Sequence, residues 1–336
     1  SDNTAGATYN FADAAVAVLE VGLANSAEFQ TTDDVDTVSN TLNLTFEAAQ
    51  ASTLKFNGAN GENDYENVNI TVSPAASFDT DTNFAIADLL GDNLTADGSN
   101  TDFTVTSENA DVNLLITSID GAQLDARAVA GDLSLTAGGN VGSAGTDFEL
   151  LAAEGATSVD FTQTTADSTF VSTNSADDDV TFATTTGSAY AMFSGGDNII
   201  DALAVTTGDI TIIGGSGTVS ASIDGASAGN IVAILGEGDD VFSAIGANGS
   251  ANYNVDMGAG DNVVEIQGMD DTGTYAIAFT SGTNSATLSG AFSAVEVTVT
   301  GGSGDDTLVV DFGNGGMGTG ASFTFDGGEG TNELAI

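Results

Sequence analysis

Apolar and polar residues alternate over short runs along most of this 336-residue chain, and stretches rich in Gly, Asp and Asn separate the runs. Alternation with a period of two residues is typical of a β-strand that buries one face, whereas an α-helix requires a period of 3.6. We expect a short helix only near Asn83 to Leu90. The chain is therefore predicted to belong to the all-β class.

The C-terminal third contains an internal repeat with a period of about 22 residues. Four segments align without gaps, at residues 231–242, 253–264, 275–286 and 297–308, and a fifth follows at residues 323–334 after a longer spacing. The additional residues fall in a Gly-rich stretch at residues 313–320, where a loop can absorb them. The same residue classes recur in three columns: Ile231, Tyr253, Tyr275 and Val297; Ala233, Val255, Ile277 and Val299; and Phe242, Val264, Ala286 and Leu308.

A fixed period of strand and turn predicts a β-solenoid, because one coil cannot bury its apolar face alone and must stack on the next. We predict a right-handed parallel β-solenoid (β-helix) with coils of about 22 residues. Looser copies of the repeat extend back to about residue 101. We therefore predict an irregular N-terminal β region at residues 1–100, made of loose coils or of a small β cap, and a regular solenoid at residues 101–336.

The charge of the chain excludes several classes of function. Asp and Glu number 49 against 2 Lys and Arg, which gives a formal net charge of −47, and His and Cys are absent. Binding of nucleic acid requires cationic side chains, and anionic membranes repel such a chain. Without His and Cys there is no imidazole base, no cysteine nucleophile and no disulfide. Hydrophobic residues nevertheless make up 41% of the chain, so we expect a folded core rather than disorder.

The turns carry a recognisable sequence motif. GGSGDDTLV at residues 301–309 matches the nonapeptide G-G-x-G-x-D-x-U-x in full, and LGEGDDVFS, MGAGDNVVE and DGGEGTNELA match it in part. These turns resemble the calcium-binding β-rolls of repeats-in-toxin proteins, and the composition, rich in Thr, Ala, Gly and Asp, resembles bacterial surface-layer proteins. In the repeats-in-toxin family the nonapeptides form two turns per coil, whereas here one such turn occurs in each repeat.

The Gly- and Asp-rich turns are also the candidate metal site. Glycine lets the backbone turn its carbonyls outward, and carboxylate and amide oxygens are the ligands that calcium prefers. The candidate ligands are Asp240, Asn262, Asn284, Asp306 and Asn332 at the sixth position of the motif, with Asp239, Asp261 and Asp305 directly before it. The alternative is a ladder of stacked Asn and Asp side chains that hydrogen-bond from coil to coil without a metal. The three Asn residues favour the ladder, whereas stacking of like-charged Asp239 and Asp261 favours calcium.

Other charged residues give weaker evidence for a functional site. Asp177, Asp178 and Asp179 form an acidic triplet, which we interpret as a solvated turn, with a surface cation site as the alternative. We expect Lys55 and Arg127, the two cations, to be solvated or paired with nearby carboxylates. A glycosidase requires two carboxylates at a set separation in a cleft, which an acidic repeat does not specify. We therefore predict that the chain is not an enzyme.

Together these features predict an extracellular or cell-surface structural protein that assembles into a filament, a sheath or a surface layer. Leu334 continues an apolar column almost to Ile336, so we expect an uncapped end that contacts the next copy head to tail. The expected partners are other copies and calcium ions, with no nucleic acid and no insertion into a membrane. The alternatives are the solenoid stalk of a large secreted adhesin and, third, a polysaccharide-acting β-helix enzyme.

Overall fold

The structure is a computed structural model. It describes residues 7–11, 16–19, 27–31, 41–46, 51–58, 67–72, 83–90, 101–107, 113–135, 147–161, 167–182, 187–202, 205, 208–224, 229–246, 251–269, 272–313 and 316–336. These residues contain 29 β-strands and no α-helix. Backbone contacts divide the chain into two compact units, Ser1–Ser172 and Thr173–Ile336.

The first unit holds strands β1 to β14. Its odd-numbered strands, which form the sheet that we call sheet A, are β1 (Ala7–Phe11), β3 (Ala27–Thr31), β5 (Ala51–Gly58), β7 (Asn83–Leu90), β9 (Asn113–Asp120), β11 (Leu133–Leu135) and β13 (Thr157–Asp160). Its even-numbered strands, which form sheet B, are β2 (Val16–Leu19), β4 (Thr41–Phe46), β6 (Asn67–Val72), β8 (Asp102–Ser107), β10 (Gln123–Val129), β12 (Phe148–Leu151) and β14 (Ser168–Val171).

The second unit holds strands β15 to β29 in the same alternation. Sheet A contains β15 (Asp179–Phe182), β17 (Asn198–Ala202), β19 (Val219–Asp224), β21 (Val241–Ile245), β23 (Val263–Gln267), β25 (Ser285–Ser289), β27 (Thr307–Asp311) and β29 (Glu333–Ala335). Sheet B contains β16 (Ala189–Met192), β18 (Ile210–Ile213), β20 (Asn230–Ile234), β22 (Asn252–Asp256), β24 (Thr274–Ala278), β26 (Glu296–Thr300) and β28 (Ser322–Asp326).

Every strand pair recorded within a unit is parallel, and it joins a strand to the one two places later in the chain. This connectivity is that of a β-solenoid, in which one coil contributes one strand to each sheet. The predicted fold class is therefore confirmed, while the right-handedness of the coils stays a prediction. The strands before residue 100 pair in the same parallel way, as loose coils would. The division at residues 100 and 101 also stays a prediction.

The predicted repeat length is confirmed by the register of the strands. Val241 pairs with Val263 of the next coil, and Asp240 and Asn262, directly before them, are bonded at a separation of 22 residues. In the last coil the corresponding bond joins Asp306 to Asn332 at a separation of 26 residues, as expected if a loop at residues 313–320 absorbs the difference. A strict period keeps the same side chains in register from coil to coil, because a slip by one residue would turn every inward side chain outward.

The three apolar columns read from the sequence are three columns of the core. Tyr253, Tyr275 and Val297 face one another in successive strands of sheet B, and each is at most 2% exposed. The rings of Tyr253 and Tyr275 stack with their centroids 4.9 Å apart. Each strand of β20 to β27 alternates between buried and more exposed positions. The residues between the two inward positions of these strands are Val232, Ser243, Asn254, Glu265, Ala276, Thr287, Thr298 and Val309.

The prediction of a short helix near Asn83 to Leu90 is wrong, because these residues form strand β7. Phe84 and Ile86 pair with Leu114 and Ile116 of β9. The spacing of two residues between apolar Phe84 and Ile86 is that of a strand. Leu89 and Leu90, which are adjacent, interrupt the alternation at the end of the segment.

The in-and-out register predicts unequal effects for two charged substitutions on neighbouring strands. Ile277 is 2% exposed in β24, so Ile277→Asp buries an unpaired charge and should lower the free energy of unfolding by about 4 kcal/mol or more. Thr298 points outward from β26, so Thr298→Asp should lower it by about 1 kcal/mol or less. Urea denaturation of both variants measures the difference, and equal losses would contradict the register.

Candidate functional site: the glycine-rich corner

The candidate ligands lie where the chain passes from sheet B to sheet A. We call this turn the glycine-rich corner; in the repeat it comprises residues 235–240, 257–262, 279–284, 301–306 and 327–332. Corners of successive coils stack directly, since Glu237 bridges to Ala259, Ala259 to Ser281, and Ser281 to Ser303. The corner thus forms a continuous column of backbone along the second unit.

The sixth position of the motif forms an inner ladder of side-chain hydrogen bonds. The backbone N–H of Asp240 donates to Oδ1 of Asn262 at 2.9 Å, and the N–H of Asn262 donates to Oδ1 of Asn284 at 3.1 Å. The series continues from Asn284 to Asp306 at 3.3 Å and from Asp306 to Asn332 at 2.9 Å. Each side chain therefore accepts a hydrogen bond from a backbone N–H of the preceding coil.

Asn and Asp are not equivalent in this ladder. The amide nitrogens of Asn262 and Asn284 donate to the carbonyl oxygens of Gly260 and Gly282 within their own turns. A carboxylate has no hydrogen to donate at that place. Accordingly, Oδ2 of Asp240 and Oδ2 of Asp306 are buried without a hydrogen-bond partner.

Burial raises the pKa of Asp240 to about 6, with a further upward contribution from the charge of Asp239. The hydrogen bond from the N–H of Val219 to Oδ1 of Asp240, 2.7 Å long, acts in the opposite direction. Desolvation is the largest of these effects, because Asp240 is completely buried and Val219 beside it is apolar. The inner ladder is thus under electrostatic stress at Asp240.

The preceding position forms an outer ladder that runs in the opposite sense. Oδ1 of Asp239 accepts the N–H of Asp261 at 2.8 Å, and Oδ1 of Asp261 accepts the N–H of Thr283 at 2.7 Å. Oδ1 of Asp305 accepts the N–H of Thr331 at 2.7 Å. These carboxylates are exposed, so water and salt screen their repulsion.

The fourth position of the motif requires glycine. Gly260, Gly282 and Gly304 have φ angles of 126°, 102° and 138°, which side chains with a Cβ rarely adopt. A Cβ on any of them would overlap the carbonyl oxygen of the corresponding glycine in the preceding coil. Glycine therefore allows the corners to stack as closely as the strands.

The sequence interpretation missed two members of the inner ladder. The N–H of Asp178 donates to Oδ1 of Asn198 at 3.0 Å, so Asp178 belongs to this column instead of a solvated turn. Only its neighbours in the triplet, Asp177 and Asp179, are exposed. Between Asn198 and Asp240 the column is occupied by Val219, which has no side-chain acceptor. The coils here have spacings of 20 and 21 residues, so Asp178 and Asn198 do not align with the 22-residue repeat of the C-terminal third.

The opposite corner, where the chain passes from sheet A to sheet B, uses the same kind of bond. Oδ1 of Asp209 accepts the N–H of Asn230 at 2.7 Å. Oδ1 of Asn230 accepts from the Asn252 amide at 3.1 Å, and Oδ1 of Asn252 accepts the N–H of Thr274 at 3.1 Å. Acidic and amide side chains therefore serve as backbone acceptors on both sides of the solenoid.

Arg127 forms an ion pair with a nearby carboxylate, in line with the sequence interpretation. Its Nε and Nη2 donate to the two oxygens of Asp125 at 3.0 and 2.7 Å. This interaction lowers the pKa of Asp125. The side chain of Lys55 lies outside the described residues.

The corner offers oxygen ligands of a limited kind. Within the described part of the chain, no group of three or more Asp, Glu, His or Cys side chains is placed to hold a metal ion. The orphaned Oδ2 atoms of Asp240 and Asp306 do fit a hard cation, because calcium accepts such oxygens together with amide and carbonyl oxygens. The fit is therefore partial, and it concerns Asp240 and Asp306 of the inner ladder.

Comparison of the chain with protein-family models, with curated proteins and with solved structures found no match. Among the described residues no helix is both long and apolar enough to cross a membrane. The fold and the corner are therefore the basis for any statement about function.

The orphaned oxygen of Asp240 predicts a stabilising substitution. Asp240→Asn keeps the acceptor for Val219 and supplies an amide hydrogen in the place of Oδ2, so the melting temperature in EGTA at pH 7 should rise by several degrees. Asp239→Asn is the matched control, because it removes the same charge from the exposed neighbour while keeping its acceptor. Equal effects of the two substitutions would show that net charge, and not the ladder, is responsible.

The raised pKa predicts how this gain depends on pH. A carboxyl group with a folded pKa of about 6 and an ordinary value of 3.8 takes up its proton first in the folded state, so the wild type gains stability as the pH falls from 7 to about 4. The advantage of Asp240→Asn should be greatest above pH 6 and should disappear near pH 4. Melting curves of both proteins across this range test the prediction; a difference that does not change with pH would contradict it.

Proposed function

We propose that this chain is an extracellular structural protein whose copies stack head to tail into a surface filament, sheath or layer, with calcium at the glycine-rich corner. The observation that supports stacking is the exposure of core-column side chains in the last described coil. Leu334 is 42% exposed in β29, and Phe323 and Phe325 are half-exposed in β28. Their partners Val297, Val299 and Leu308 in the preceding coil are each 1% exposed. Among the described residues, nothing covers the core columns at this coil.

The strand edges of this coil support the same conclusion. In the described part of the chain β28 pairs only with β26, and β29 pairs only with β27. At the other end, β1 pairs with β3 and β2 pairs with β4. Strand edges that have no partner among the described residues can recruit further strands.

The order of the strands lets one copy continue another. β29 and β1 both belong to sheet A, and β28 and β2 both belong to sheet B. A second copy that places β1 beside β29 and β2 beside β28 extends both sheets as parallel sheets. Such an interface is heterologous, so it propagates and does not close into a dimer.

Calcium is the cofactor that we propose for the corner. Asp240 and Asp306 lie three coils apart in the inner ladder, so the Oδ2 atom of each would hold a separate ion. Exposed Asp239 and Asp305 would strengthen the attraction of these ions to the corner. The ions would neutralise charge in a chain that has 49 acidic and 2 basic residues. The resemblance of residues 301–309 to repeats-in-toxin turns and the exterior location of surface-layer proteins support the same assignment.

Head-to-tail stacking is tested by a charge placed on the uncovered core column. Phe325→Asp should prevent the next copy from docking at β28, because docking would bury the charge. Thr324→Asp is the matched control, since it adds the same charge one residue away on the outer face of the same strand. Electron microscopy in millimolar calcium should show filaments for the wild type and for Thr324→Asp, but not for Phe325→Asp.

A mixing experiment distinguishes loss of docking from loss of folding. Folded Phe325→Asp subunits still offer β1 and β2, so a small fraction added to wild type should terminate growth and shorten the filaments. Thr324→Asp subunits should leave the length unchanged. Two results would overturn the proposal: a wild type that stays monomeric at high concentration in calcium, or a native subunit whose mass shows that the same chain continues the solenoid, as in an adhesin stalk.

The calcium site is tested by its effect on stability. Millimolar calcium should raise the melting temperature of the wild type by several degrees relative to EGTA, because the ion binds the folded form alone. The double substitution Asp240→Asn and Asp306→Asn should lose this response. Glu296→Gln removes an exposed acid outside the corner and should keep it. If the wild type melts at the same temperature in calcium and in EGTA, the calcium site is contradicted. The corner is then a hydrogen-bonded ladder without metal.

A further inference from the structure

The inner ladder ends on an unpaired donor in the last described coil. In the preceding coils of the repeat, the backbone N–H at the sixth position of the motif donates to a side-chain oxygen at the same position of the next coil, as Asp306 does to Asn332. Within the described part of the chain, no residue accepts the N–H of Asn332. Because turns must find acceptors for their N–H groups, a coil that stacks on this one is expected to supply an acceptor there.

The first unit contains an outer ladder at the corresponding turn, where the chain passes from sheet B to sheet A. Oδ1 of Asn113 accepts the N–H of Asp132 at 3.0 Å, and Oδ1 of Asp132 accepts the N–H of Ala156 at 3.0 Å. The bonds run in the same sense as the bond from the N–H of Asp261 to Asp239. Asn113 and Asp132 therefore mark the fifth position of the coil in the first unit, and the residue after each of them marks the sixth.

The strand register carries the fifth position back to the beginning of β1. The strands of sheet A from β9 to β1 are linked through the pairs Asn113–Asn83, Ala85–Ala51, Leu54–Ala27 and Ala27–Ala7. Ala51 lies two residues after the fifth position of its coil, as Ala85 does after Asn83. Leu54 therefore lies five residues after that position, and so does Ala7. Counting back from Ala7 reaches Asp2, with Asn3 at the sixth position; residues 1–6 themselves lie outside the described residues.

An Asn at this sixth position is unusual for the first unit. Leu114 and Leu133 occupy it in two described coils and are 2% and 1% exposed. The same count places Leu23 there in the coil that follows Asn3. An acid followed by Asn matches instead the corner of the second unit, as at residues 261–262. Asn3 thus has an apolar neighbour on the side of its own copy and the chemistry of the inner ladder on its open side.

The second unit contains a precedent for an Asn between a ladder residue and an apolar one. Oδ1 of Asn198 accepts the N–H of Asp178 at 3.0 Å. The next residue in the column is Val219, which has no side-chain acceptor, so the N–H of Asn198 donates to the carbonyl oxygen of Thr218 at 2.7 Å. Asn3 would stand in the same way between a ladder residue of a neighbouring copy and an apolar residue of its own.

We infer that Asn3 of one copy continues the inner ladder of its neighbour, with Oδ1 of Asn3 accepting the N–H of Asn332. The inference rests on the head-to-tail stacking proposed above and adds the register of that contact. Stacking alone allows several registers, since any shift by two residues keeps inward side chains inward. A shift in one direction places Ala5, which has no side-chain acceptor, beside Asn332. A shift in the other direction places Asp2 directly against Glu333, where like charges repel.

The register set by Asn3 keeps acidic residues of the two copies apart at the contact. It pairs Gly330, Thr331, Asn332, Glu333, Leu334, Ala335 and Ile336 with Ser1, Asp2, Asn3, Thr4, Ala5, Gly6 and Ala7, in that order. Asp2 and Glu333 thus both face Thr residues. Leu334, which is 42% exposed in the last described coil, gains an apolar neighbour in Ala5. The remaining repulsion between the two copies acts over longer distances, where salt screens it.

Removing the acceptor tests the contact in assembly. Asn3→Leu is compatible with folding, because Leu114 and Leu133 occupy the same position in other coils. Asn10→Leu is the matched control, since it makes the same change in β1, beyond the residues that face the last described coil. In millimolar calcium, the protein concentration at which filaments begin to form should rise at least tenfold for Asn3→Leu and less than twofold for Asn10→Leu, as measured by sedimentation.

Cysteine pairs test the register itself, since the chain has no cysteine of its own. Directly paired residues of adjacent strands lie within the distance that a disulfide spans, whereas a shift by two residues moves them out of it. In assembled filaments, Asn3→Cys combined with Asn332→Cys should link neighbouring copies at least tenfold faster than Ala5→Cys combined with Asn332→Cys. Faster linkage of the second pair would show a register shifted by two residues and would overturn the inference.

The inference and head-to-tail stacking fail in different ways. A wild type that never assembles overturns the stacking and, with it, the inference. If wild-type filaments form but Asn3→Leu assembles at the same concentration as Asn10→Leu, the inference alone is overturned and the stacking stands.

Discussion

The hydrogen bond between a corner N–H and an Asn or Asp side chain of the adjacent coil is the interaction on which the rest of this structure depends. Strands satisfy their own backbone groups in the two sheets, but turns leave N–H groups that must find acceptors if the corners are to stack. In the glycine-rich corner, carbonyl oxygens of adjacent coils accept some of these N–H groups, and side-chain oxygens accept others, as at Asn262 and Asn284. Because these bonds join equivalent residues of adjacent coils, they hold the stacked corners in register, whether the coil has 20, 22 or 26 residues.

This arrangement also accounts for the composition of the chain. A carboxylate accepts hydrogen bonds but cannot donate them, so a protein that meets its turn N–H groups with Asp accumulates negative charge. The outer ladder at Asp239 and Asp261 keeps that charge in water. Where an Asp enters the buried inner ladder, at Asp240, its second oxygen remains without a partner and its pKa rises. Protonation relieves such a group, and so would the calcium that we propose for the corner.

Much of the fold could be predicted from the sequence, because burial in a solenoid repeats at a constant interval. The column of Ala233, Val255 and Ile277 is visible once the segments are aligned, and the register confirms it. The strand at Asn83–Leu90 could not be recognised in the same way, because adjacent Leu89 and Leu90 obscure its alternation. The candidate site was predicted less completely. The stacked turns are visible in the sequence, but the roles of Asp178 and Asn198 are not, since their coils are shorter and lack the nonapeptide.

The sense of each ladder also depends on atomic positions that no residue pattern specifies. The same holds for the difference between Asn, whose amide binds its own turn, and Asp, whose second oxygen does not. Both features arise from the close stacking of the corners, where one side chain meets the backbone of two coils at once.

Backbone hydrogen exchange at the inner ladder tests the central claim most directly. The amide hydrogens of Asp240, Asn262 and Asp306, measured by nuclear magnetic resonance in EGTA, should exchange as slowly as that of Val264 in the neighbouring strand, because each is bonded to a side chain of the next coil. Slow exchange in the absence of calcium would show that the ladder itself holds the coils in register. Exchange at the rate of an open loop at these three residues, with Val264 still protected, would contradict the account.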